Sequence, residues 1–310
     1  MLNGLLLVDK PKGISSHDVV NKLRGILGIK KIGHTGTLDL SATGLILICI
    51  GKATKLTPFL QNLDKTYRGR TLFGITTNSL DGEGEVLEEK DASSLSRVDV
   101  EKLFSQFEGE ITQVPPMFSA LHWKGNRLYK LARKGIEIKL PPRKIQVYKL
   151  KLLNFISGYH PQAEFEVMCS RGTYIRSLCF DIGKTSGYGA YQSSLCRIEI
   201  GSFHLNNAKR LEDLEKEIRE GKVEGTLLPL ASALPHFPIV KVKRGVEKGI
   251  KEGRPLYLTH IGCLPPVLEK GDKVRLCSES GQLLAIAISL QNSNHFCKYE
   301  VGFKYLRVLI

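Results

Sequence analysis

The sequence predicts an α+β fold, because strand-like and helix-like segments follow one another along the chain in no regular order. Short apolar runs typical of buried strands, such as LILICI at residues 45–50, alternate irregularly with amphipathic segments of helical period. A doubly wound sheet would instead show a regular alternation of strand and helix. With 310 residues, 42% hydrophobic and 25% charged, the chain can build one large domain and a small second one.

The first fifty residues predict a strand, a turn, a helix and a second strand. The apolar run LLLV (5–8) predicts the first strand and DKPKG (9–13) the turn. Ser15 is expected to cap the helix, with Asp18 as its capping-box partner. The face of this helix expected to be buried carries Val19, Leu23 and Ile26.

Three later segments complete the outline of the large domain. KTYRGRTLFGITT (65–77) predicts one strand, and VDVEKLFSQFEGE (98–110) predicts an amphipathic helix. AEFEVMCS (163–170) alternates apolar and polar residues, which is typical of a half-buried strand.

A strongly basic segment separates these elements at about residues 115–145. Pro-Pro pairs bracket it, and from Lys124 to Lys144 it contains eight basic residues and one acid. A short helix is expected at 126–134, ending at Gly135. This imbalance exceeds that of an ordinary solvated helix, so we interpret the segment as a basic finger.

The chain is expected to divide near residue 235. Residues 1–234 would form the large domain and residues 235–310 a small, all-β one. Within the second, KGDKVRLCSESGQLLAIAIS (270–289) predicts a hairpin about SESG.

The charge balance favours a polyanionic partner. Lys and Arg number 45 against 31 Asp and Glu, a net charge of +14, which is typical of proteins that bind nucleic acid. A membrane partner is not expected, since the longest apolar run is far too short to span a bilayer and the N-terminus does not resemble a signal peptide.

The cysteines do not indicate a metal site or a disulfide framework. Seven are scattered along the chain, with no pair spaced as CxxC. Free thiols fit a reducing cytoplasm, and most are expected to be small core residues. No metal is therefore expected.

The segment GHTGTLDLSATG (33–44) contains a single acid, Asp39, among glycines, threonines and other small residues. An aspartate in such a segment commonly does no more than cap a turn. A lone carboxylate can also act as a nucleophile, provided that a cation beside it keeps it ionised. The second interpretation requires an arginine from a distant segment.

The segment SRGTYIRSLCFDIG offers that arginine. Thr173 is expected to cap a helix whose first turn contains Arg176, where the helix N-terminus already favours anions. The plainer alternative is a solvated helix arginine. Tyr67 and Tyr174, both beside basic residues, suit either core packing or the stacking of nucleic-acid bases.

Four segments in this order resemble the bacterial tRNA pseudouridine-55 synthases, the TruB type of pseudouridine synthase. They are GHTGTLDLSATGLILICIGKATK, KTYRGRTLFG, PPMFSALHWKGNRLYKLARKG and SRGTYIRSLCFDIG. The resemblance covers about residues 3–203, and the C-terminal segment resembles the family's small PUA-type RNA-binding domain. It implies a catalytic domain with a mixed, mainly antiparallel sheet and flanking helices.

The resemblance also implies an activity. Members of this family isomerise uridine 55 in the T loop of tRNA, by flipping the nucleotide, breaking its N-glycosidic bond and rejoining the base through C5. The implied partner is the T arm of tRNA, and the implied enzyme is a cytoplasmic monomer without a cofactor.

Individual roles follow by resemblance. Asp39 would be the essential carboxylate, acting on ribose C1′, on the base or through a glycal. Arg176 would pair with it, and Tyr67 would stack on the base and assist removal of the C5 proton. The RNA-binding residues would be His34, as a wedge in the space left by the flipped nucleotides, Lys65, Tyr174 and Leu195 in the pocket, and Arg127, Lys130, Lys134 and Arg143 in the finger.

Two departures from the family pattern are visible. Leu40-Ser41 stands where the family usually has Pro-Leu, so the loop carrying Asp39 is expected to be less rigid. TTNSLDGEG (76–84) matches the family's acidic turn loosely, with Asn78 and Leu80 as variants.

Two alternatives remain open at this point. One is an enzyme of the dyskerin-like, guide-RNA-dependent type, against which the complete two-domain bacterial pattern argues. The other is a tRNA-binding folding factor with secondary catalysis. The joint presence of Asp39, Arg176 and Tyr67 favours chemistry over simple binding.

Overall fold

The computed structural model describes residues 2–119, 121–136, 138–293 and 299–310. These residues form twenty strands and seven α-helices. The strands up to the end of the basic segment are β1 (Gly4–Lys10), β2 (Ile32–His34), β3 (Thr43–Ile50), β4 (Lys65–Phe73), β5 (Ile75–Thr77), β6 (Val86–Glu89), β7 (Gly109–Gln113), β8 (His122–Trp123), β9 (Asn126–Arg127) and β10 (Arg143–Ile156). The later strands are β11 (Gln162–Cys169), β12 (Ala190–Ile200), β13 (Phe203–His204), β14 (Lys209–Arg210), β15 (Ile239–Val242), β16 (Leu256–Tyr257), β17 (Ile261–Cys263), β18 (Lys273–Cys277), β19 (Leu283–Ser289) and β20 (Val301–Val308). The helices are α1 (Ser16–Leu27), α2 (Thr57–Leu60), α3 (Arg97–Ser105), α4 (Leu128–Ala132), α5 (Ile175–Ser186), α6 (Leu211–Arg219) and α7 (Glu247–Lys251).

A ten-stranded sheet is the frame of the large domain. Its order is β14-β1-β3-β12-β4-β11-β10-β7, with β2 and β13 pairing at the side with β3 and β12. The β1–β14 and β3–β12 pairs are parallel and the others antiparallel. The predicted α+β fold with a mixed, mainly antiparallel sheet and flanking helices is therefore confirmed.

Strand β3 is apolar throughout because both of its faces are buried. Leu45, Leu47 and Cys49 belong to the core shared with the C-terminal sheet. Ile46, Ile48 and Ile50 point to the other side, into a core that also contains residues of α1 and α6. An alternating pattern would have left one face in water.

Helix α1 begins as the sequence predicts. The Ser15 hydroxyl accepts the Asp18 N–H at 3.0 Å, and the Ser15 N–H donates to Asp18 Oδ2 at 2.9 Å, which completes the capping box. The predicted buried face is partly wrong. Val19 and Leu23 are buried, but Val20 takes the place of Ile26, which is only half-buried.

Two predicted elements are divided by glycines. The segment 65–77 forms two strands, because Gly74 adopts a φ of +85° and its N–H bonds to the Gly189 carbonyl outside the sheet ladder. The helix predicted at 98–110 ends at Ser105. Gly109, at a φ of +100°, starts β7 instead, where the chain pairs with β10.

The basic finger emerges between two adjacent strands, β7 and β10. Strands β8 and β9 form a tight hairpin through Lys124 and Gly125, both at positive φ, so the helix predicted at 126–134 is shorter and spans only α4. Gly135 adopts a φ of +70° and ends the helix in a Schellman motif, with its N–H bonded to Ala132 and that of Ile136 to Leu131. Leu128 is buried, whereas the basic side chains of α4 and its flanks are exposed.

The C-terminal sheet has the order β16-β20-β19-β18-β15-β17. The predicted hairpin is present as the β18–β19 pair. The unit is not entirely β, since α7 lies within it. It shares one hydrophobic core with the large domain, where Leu283 and Leu309 belong to the same cluster as Leu5. The boundary between residues 234 and 235 stays a prediction.

The six described cysteines are free thiols, four of them buried, and Cys297 lies outside the described residues. No helix in the described ranges is both long and apolar enough to cross a membrane.

Candidate active site

A cleft of about 680 Å³ opens on the large sheet, between the loop after β2, the base of the finger and the start of α5. Its lining includes six basic residues, Lys65, Arg143, Lys144, Arg171, Arg176 and Arg197. Among the described lining residues Asp39 is the single acid. The cleft therefore has the charge expected of a site for a polyanion.

Asp39 sits in a loop anchored at several points. Before it, the Ser16 hydroxyl bonds the Leu38 N–H at 2.8 Å, which fixes the loop to the start of α1. After it, the Ala42 N–H bonds the Asp39 carbonyl at 3.2 Å and closes a β-turn, while the Gly13 N–H donates to the Leu40 carbonyl at 2.8 Å. These bonds aim the Asp39 carboxylate into the cleft.

Arg176 meets Asp39 with two parallel contacts. Its Nε lies 3.0 Å from Asp39 Oδ2, and its Nη2 donates to Asp39 Oδ1 at 3.2 Å. The arginine side chain is only 5% exposed, whereas that of Asp39 is 40% exposed toward the cleft. The distant arginine expected from the sequence is thus in contact with the lone acid, in the planar geometry that suits a guanidinium and a carboxylate.

The remaining guanidinium donors bond to groups that the sequence analysis did not assign. Nη1 donates to the Ser79 carbonyl at 3.0 Å and lies 3.4 Å from Asp81 Oδ2, and Nη2 also donates to the Phe118 carbonyl at 2.8 Å. Asp81 belongs to segment 76–84, which matches the family's acidic turn loosely. That match is the only feature of the sequence that points to a role for Asp81. The buried arginine is therefore held between two carboxylates and the base of the finger.

Opposing effects act on the ionisation of Asp39. Burial raises the pKa of Asp39, while the Arg176 guanidinium lowers it, Asp81 raises it and the Lys10 ammonium lowers it, with a net raised pKa. Because both carboxylate oxygens receive arginine N–H groups, the Arg176 contact opposes this rise and favours the ionised form that a nucleophile requires.

Tyr67 and Tyr174 both line the cleft. Tyr67 comes from the middle of β4 and is 8% exposed, and burial raises its pKa, so its hydroxyl keeps its proton at neutral pH. Tyr174 precedes α5, and burial raises its pKa as well. The two rings stand on different elements around one space.

Other predicted site residues divide into two groups. Lys65, Leu195 and Arg143 line the cleft. His34 ends β2 directly beside it, and its Nδ1 is buried without a partner among the described residues. Arg127, Lys130 and Lys134 are exposed on the finger and do not line the cleft. The RNA-binding roles of all these residues stay predictions.

The predicted capping of α5 by Thr173 is wrong. The Thr173 hydroxyl donates to the Ser170 carbonyl at 2.9 Å, and Tyr174 occupies the N-cap position. Gln113, from the end of β7, holds the start of the helix instead. Its Oε1 accepts the Tyr174 N–H at 2.7 Å and its Nε2 donates to the Tyr174 carbonyl at 3.0 Å.

Two further buried cations adjoin the site without having been assigned from the sequence. Arg197 is 1% exposed and lines the cleft. Lys10 is fully buried, its ammonium donates to the Pro11 and Ile14 carbonyls, and burial lowers its pKa to about 8. Burial likewise lowers the pKa of Lys65 to about 8. In the sequence Lys10 and Arg197 look like ordinary surface cations.

Comparison with known proteins identifies the family. Residues 24–175 match the TruB family pseudouridylate synthase (N terminal domain). The tRNA pseudouridine synthase B of Pelotomaculum thermopropionicum is 40% identical over 99% of this chain and 97% of its own length. The chain belongs to the TruB family. A second relative, the tRNA pseudouridine synthase B of Symbiobacterium thermophilum, is 46% identical over 78% of this chain and 79% of its own.

Solved structures share the fold of this chain. A chain of an H/ACA RNP bound to a substrate RNA containing 2′-deoxyuridine aligns with a TM-score of 0.77 and 25% identity, over 99% of this chain and 85% of that one. A chain of a Cbf5-Nop10-Gar1 complex aligns with a TM-score of 0.77 and 26% identity, again over 99% of this chain and 85% of that one. The resemblance stated from the four sequence segments is confirmed.

Replacing Arg176 by Met should destabilise this TruB family member strongly, because Asp39 and Asp81 would lose their shared partner. Removing one member of a buried ion pair costs about 3–5 kcal/mol. Without the guanidinium the folded protein takes up protons more readily than the unfolded chain. The difference in the free energy of unfolding between the variant and the wild type should therefore shrink as pH falls. Urea denaturation at several pH values measures both effects.

Arg68→Met is the matched control for that experiment. Arg68 also pairs with a carboxylate, Glu166 at 2.8 Å, but the two side chains are 60% and 31% exposed. Such a surface pair contributes about 0–1 kcal/mol. Equal losses for the two variants would contradict the buried character of the Arg176 network.

Leu40→Pro should be tolerated and should stabilise the protein slightly. Leu40 is the second residue of the turn closed by Ala42, it is 51% exposed, and its N–H donates no hydrogen bond within the described ranges. Proline is favoured at that position of a turn, and a compatible proline stabilises by about 0.4–1 kcal/mol. The melting temperature is the measurement.

Leu38→Pro provides the contrasting variant. Leu38 is buried and its N–H is bonded to Ser16, so proline there would lose a hydrogen bond and lower the melting temperature. A similar fall for Leu40→Pro would show that the turn around Asp39 does not accept the proline that the family resemblance leads us to expect there.

Proposed function

We propose that this protein isomerises uridine to pseudouridine in tRNA, and specifically uridine 55 of the T loop. Members of the TruB family that match it over most of their length are named tRNA pseudouridine synthase B. The position within tRNA and the roles of single residues are our inference from the site and from the sequence resemblance.

The observation that carries the proposal is the two-point contact between Arg176 and Asp39 in a basic cleft. Isomerisation requires a group that attacks or assists at the glycosidic bond without any external reagent. An ionised carboxylate held by a buried cation is such a group. No cofactor is needed, because the base is detached and rejoined with no net redox change.

The nucleotide must leave the stack to reach this carboxylate. C1′ and C5 of a stacked base are inaccessible, so the enzyme pays the cost of flipping one nucleotide into a pocket. The cleft offers Tyr67 and Tyr174 as surfaces for the flipped base and cationic side chains for its phosphates. His34, at the cleft border, is in position to fill the gap that the flipped nucleotide leaves.

The site is compatible with three chemical routes. Asp39 attacks ribose C1′, attacks the base, or assists departure of the base through a glycal. Each route needs the ionised carboxylate, and each ends with removal of the C5 proton, in which we assign Tyr67 a part. The contact with Arg176 supports the ionised state of Asp39, which all three routes need.

The RNA interface extends beyond the cleft. We assign phosphate contacts to Arg127, Lys130 and Lys134 on the finger and to Arg143 at its base, since their side chains are exposed or face the cleft. Residues 235–310 form a PUA-like RNA-binding domain in this proposal, supported by twelve basic against six acidic residues.

The proposed enzyme is a cytoplasmic monomer that acts on tRNA without a guide RNA. Its identity to the bacterial tRNA enzymes, 40–46%, exceeds the 25–26% to the H/ACA and Cbf5 chains. The direct test is incubation of the pure protein with a T-arm stem-loop transcript alone, followed by an assay for pseudouridine. Product at the uridine of the T loop is expected, and product only after addition of a second RNA would contradict the proposal.

Asp39→Asn should abolish product formation and leave tRNA affinity nearly unchanged. The amide keeps the shape of the side chain but is not a nucleophile. Single-turnover assays at saturating RNA measure the chemical step, and filter binding measures affinity. Asp213→Asn, on the exposed face of α6, is the control and should react at the wild-type rate. Near-normal turnover by the Asp39 variant would exclude the assigned role.

Replacing Arg127, Lys130 and Lys134 together by Gln should flatten the salt dependence of tRNA binding. Each phosphate contact contributes roughly 0.7–0.9 units of log–log slope, so the change should reach about two units or slightly more. The same substitution of Lys22, Lys216 and Arg219, exposed on α1 and α6, tests whether lost charge alone explains the effect. Equal slopes for the two triple variants would remove the finger from the interface.

A further inference from the structure

Arg197 is the largest side chain buried below 2% exposure, and it lies in the wall of the cleft. In contrast to Arg176, it forms no ion pair with a carboxylate in the described part of the chain. Its Nε donates to the Leu45 carbonyl at 2.7 Å and its Nη2 to the Gly36 carbonyl at 3.1 Å. A buried cation without an acid is costly, so its place at this site requires an explanation.

The two carbonyls lie on either side of Asp39 in the chain. Gly36 precedes it by three residues and Leu45 follows it by six, so one planar guanidinium bridges the two ends of the loop. The approach at Gly36 is close, since a Cβ there would lie 3.4 Å from Arg197 Nη1. Two directional bonds from one rigid group fix the loop ends relative to each other.

Strand β12 also places Arg197 beside Tyr67. Burial, the larger effect, raises the pKa of Tyr67, and the Arg197 guanidinium lowers it through its charge and a side-chain hydrogen bond. In the sheet, Arg197 pairs with Gly44 of β3, at the end of the loop, and with Tyr67 of β4. Arg197 therefore lies next to both the end of the loop that carries Asp39 and the strand that carries Tyr67.

We propose that Arg197 is a positioning residue, whose guanidinium ties Gly36 to Leu45 and thereby holds Asp39 in register with Arg176. This inference rests on the proposed function, because its effect is read as formation of pseudouridine. In this account Arg197 acts on the substrate only through the residues that it holds, Asp39 and Tyr67.

The consequence for pH follows from the groups that face Asp39. These are Arg176 of α5, Asp81 of the segment before β6 and Lys10 of β1. Burial and Asp81 raise the pKa of Asp39, and the two cations lower it. A loosened loop weakens the contact with Arg176, so the pKa of Asp39 should rise further and the acid limb of the rate profile should move to higher pH.

The experiment compares Arg197→Lys and Arg197→Gln with the wild type. Lysine keeps the charge but lacks the planar guanidinium. Glutamine keeps a planar donor group without burying an unpaired cation. If one variant fails to fold, the other still provides the test. The single-turnover rate at saturating T-arm RNA should fall by roughly 10²-fold, as for a small misplacement of a catalytic group. Affinity for the RNA and its salt slope should stay within twofold of the wild type, and the acid limb should shift to higher pH.

Arg275→Lys is the matched control. Like Arg197, Arg275 donates to main-chain carbonyls, here those of Phe237, Ala231 and Pro235. Its replacement should lower the melting temperature without moving the pH profile.

Three results would overturn the inference. The first is a wild-type rate and pH profile for the Arg197 variants. The second is the same shift of the pH profile in Arg275→Lys. The third is weaker RNA binding by the Arg197 variants, with a reduced salt slope and a normal rate, which would make Arg197 a phosphate ligand. Absence of product from the wild-type protein would instead refute the proposed function and is thus distinguished from all three.

Discussion

The two-point contact between Arg176 and Asp39 is the constraint on which the site depends. It joins elements that are far apart in the chain, because Asp39 follows β2 whereas Arg176 begins α5. The same guanidinium also binds the Ser79 carbonyl and the Phe118 carbonyl, at the base of the finger. One buried side chain thereby sets the relative positions of the loop, the acidic turn, the finger and the helix.

The sheet makes this constraint possible through the central place of β12. Flanked by β3 and β4, it brings Arg197 beside the end of the Asp39 loop and beside Tyr67. The α5 side of the site is fixed separately, by Gln113 at the end of β7. Tyr67 and Arg197 lie on these paired strands, so a slip of one residue in either strand would turn its side chain to the other face of the sheet.

Sequence reasoning found the parts of this protein that local chemistry determines. The capping box of Ser15 and Asp18, the buried strand β3 and the β18–β19 hairpin follow from residues close together in the chain. Asp39 was noticed as a lone acid, and its pairing with Arg176 was expected from chemistry and family resemblance. Asp81, Gln113 and Arg197 were missed, because their contacts depend on tertiary structure and each residue alone is unremarkable in its segment. The ends of predicted helices were misplaced for a similar reason, since pairing with β10 outweighs the helical period after Ser105.

Lys65 and Arg197 in the wall of the cleft are buried, whereas the cations on the finger are exposed. In the proposed function this difference distinguishes groups that affect the reaction from groups that bind RNA. Lys65 and Arg197 donate to main-chain carbonyls, and neither forms an ion pair with a carboxylate among the described residues. Lys130 and Lys134 on the finger are surrounded by solvent. Salt screens exposed charges over about 8–10 Å but acts much less on buried ones. If the finger binds phosphates as proposed, rising salt should weaken that binding before it changes the field at Asp39. In the proposed function the buried groups set the rate of the bound complex and the exposed groups set its formation, so substitution should alter the two independently.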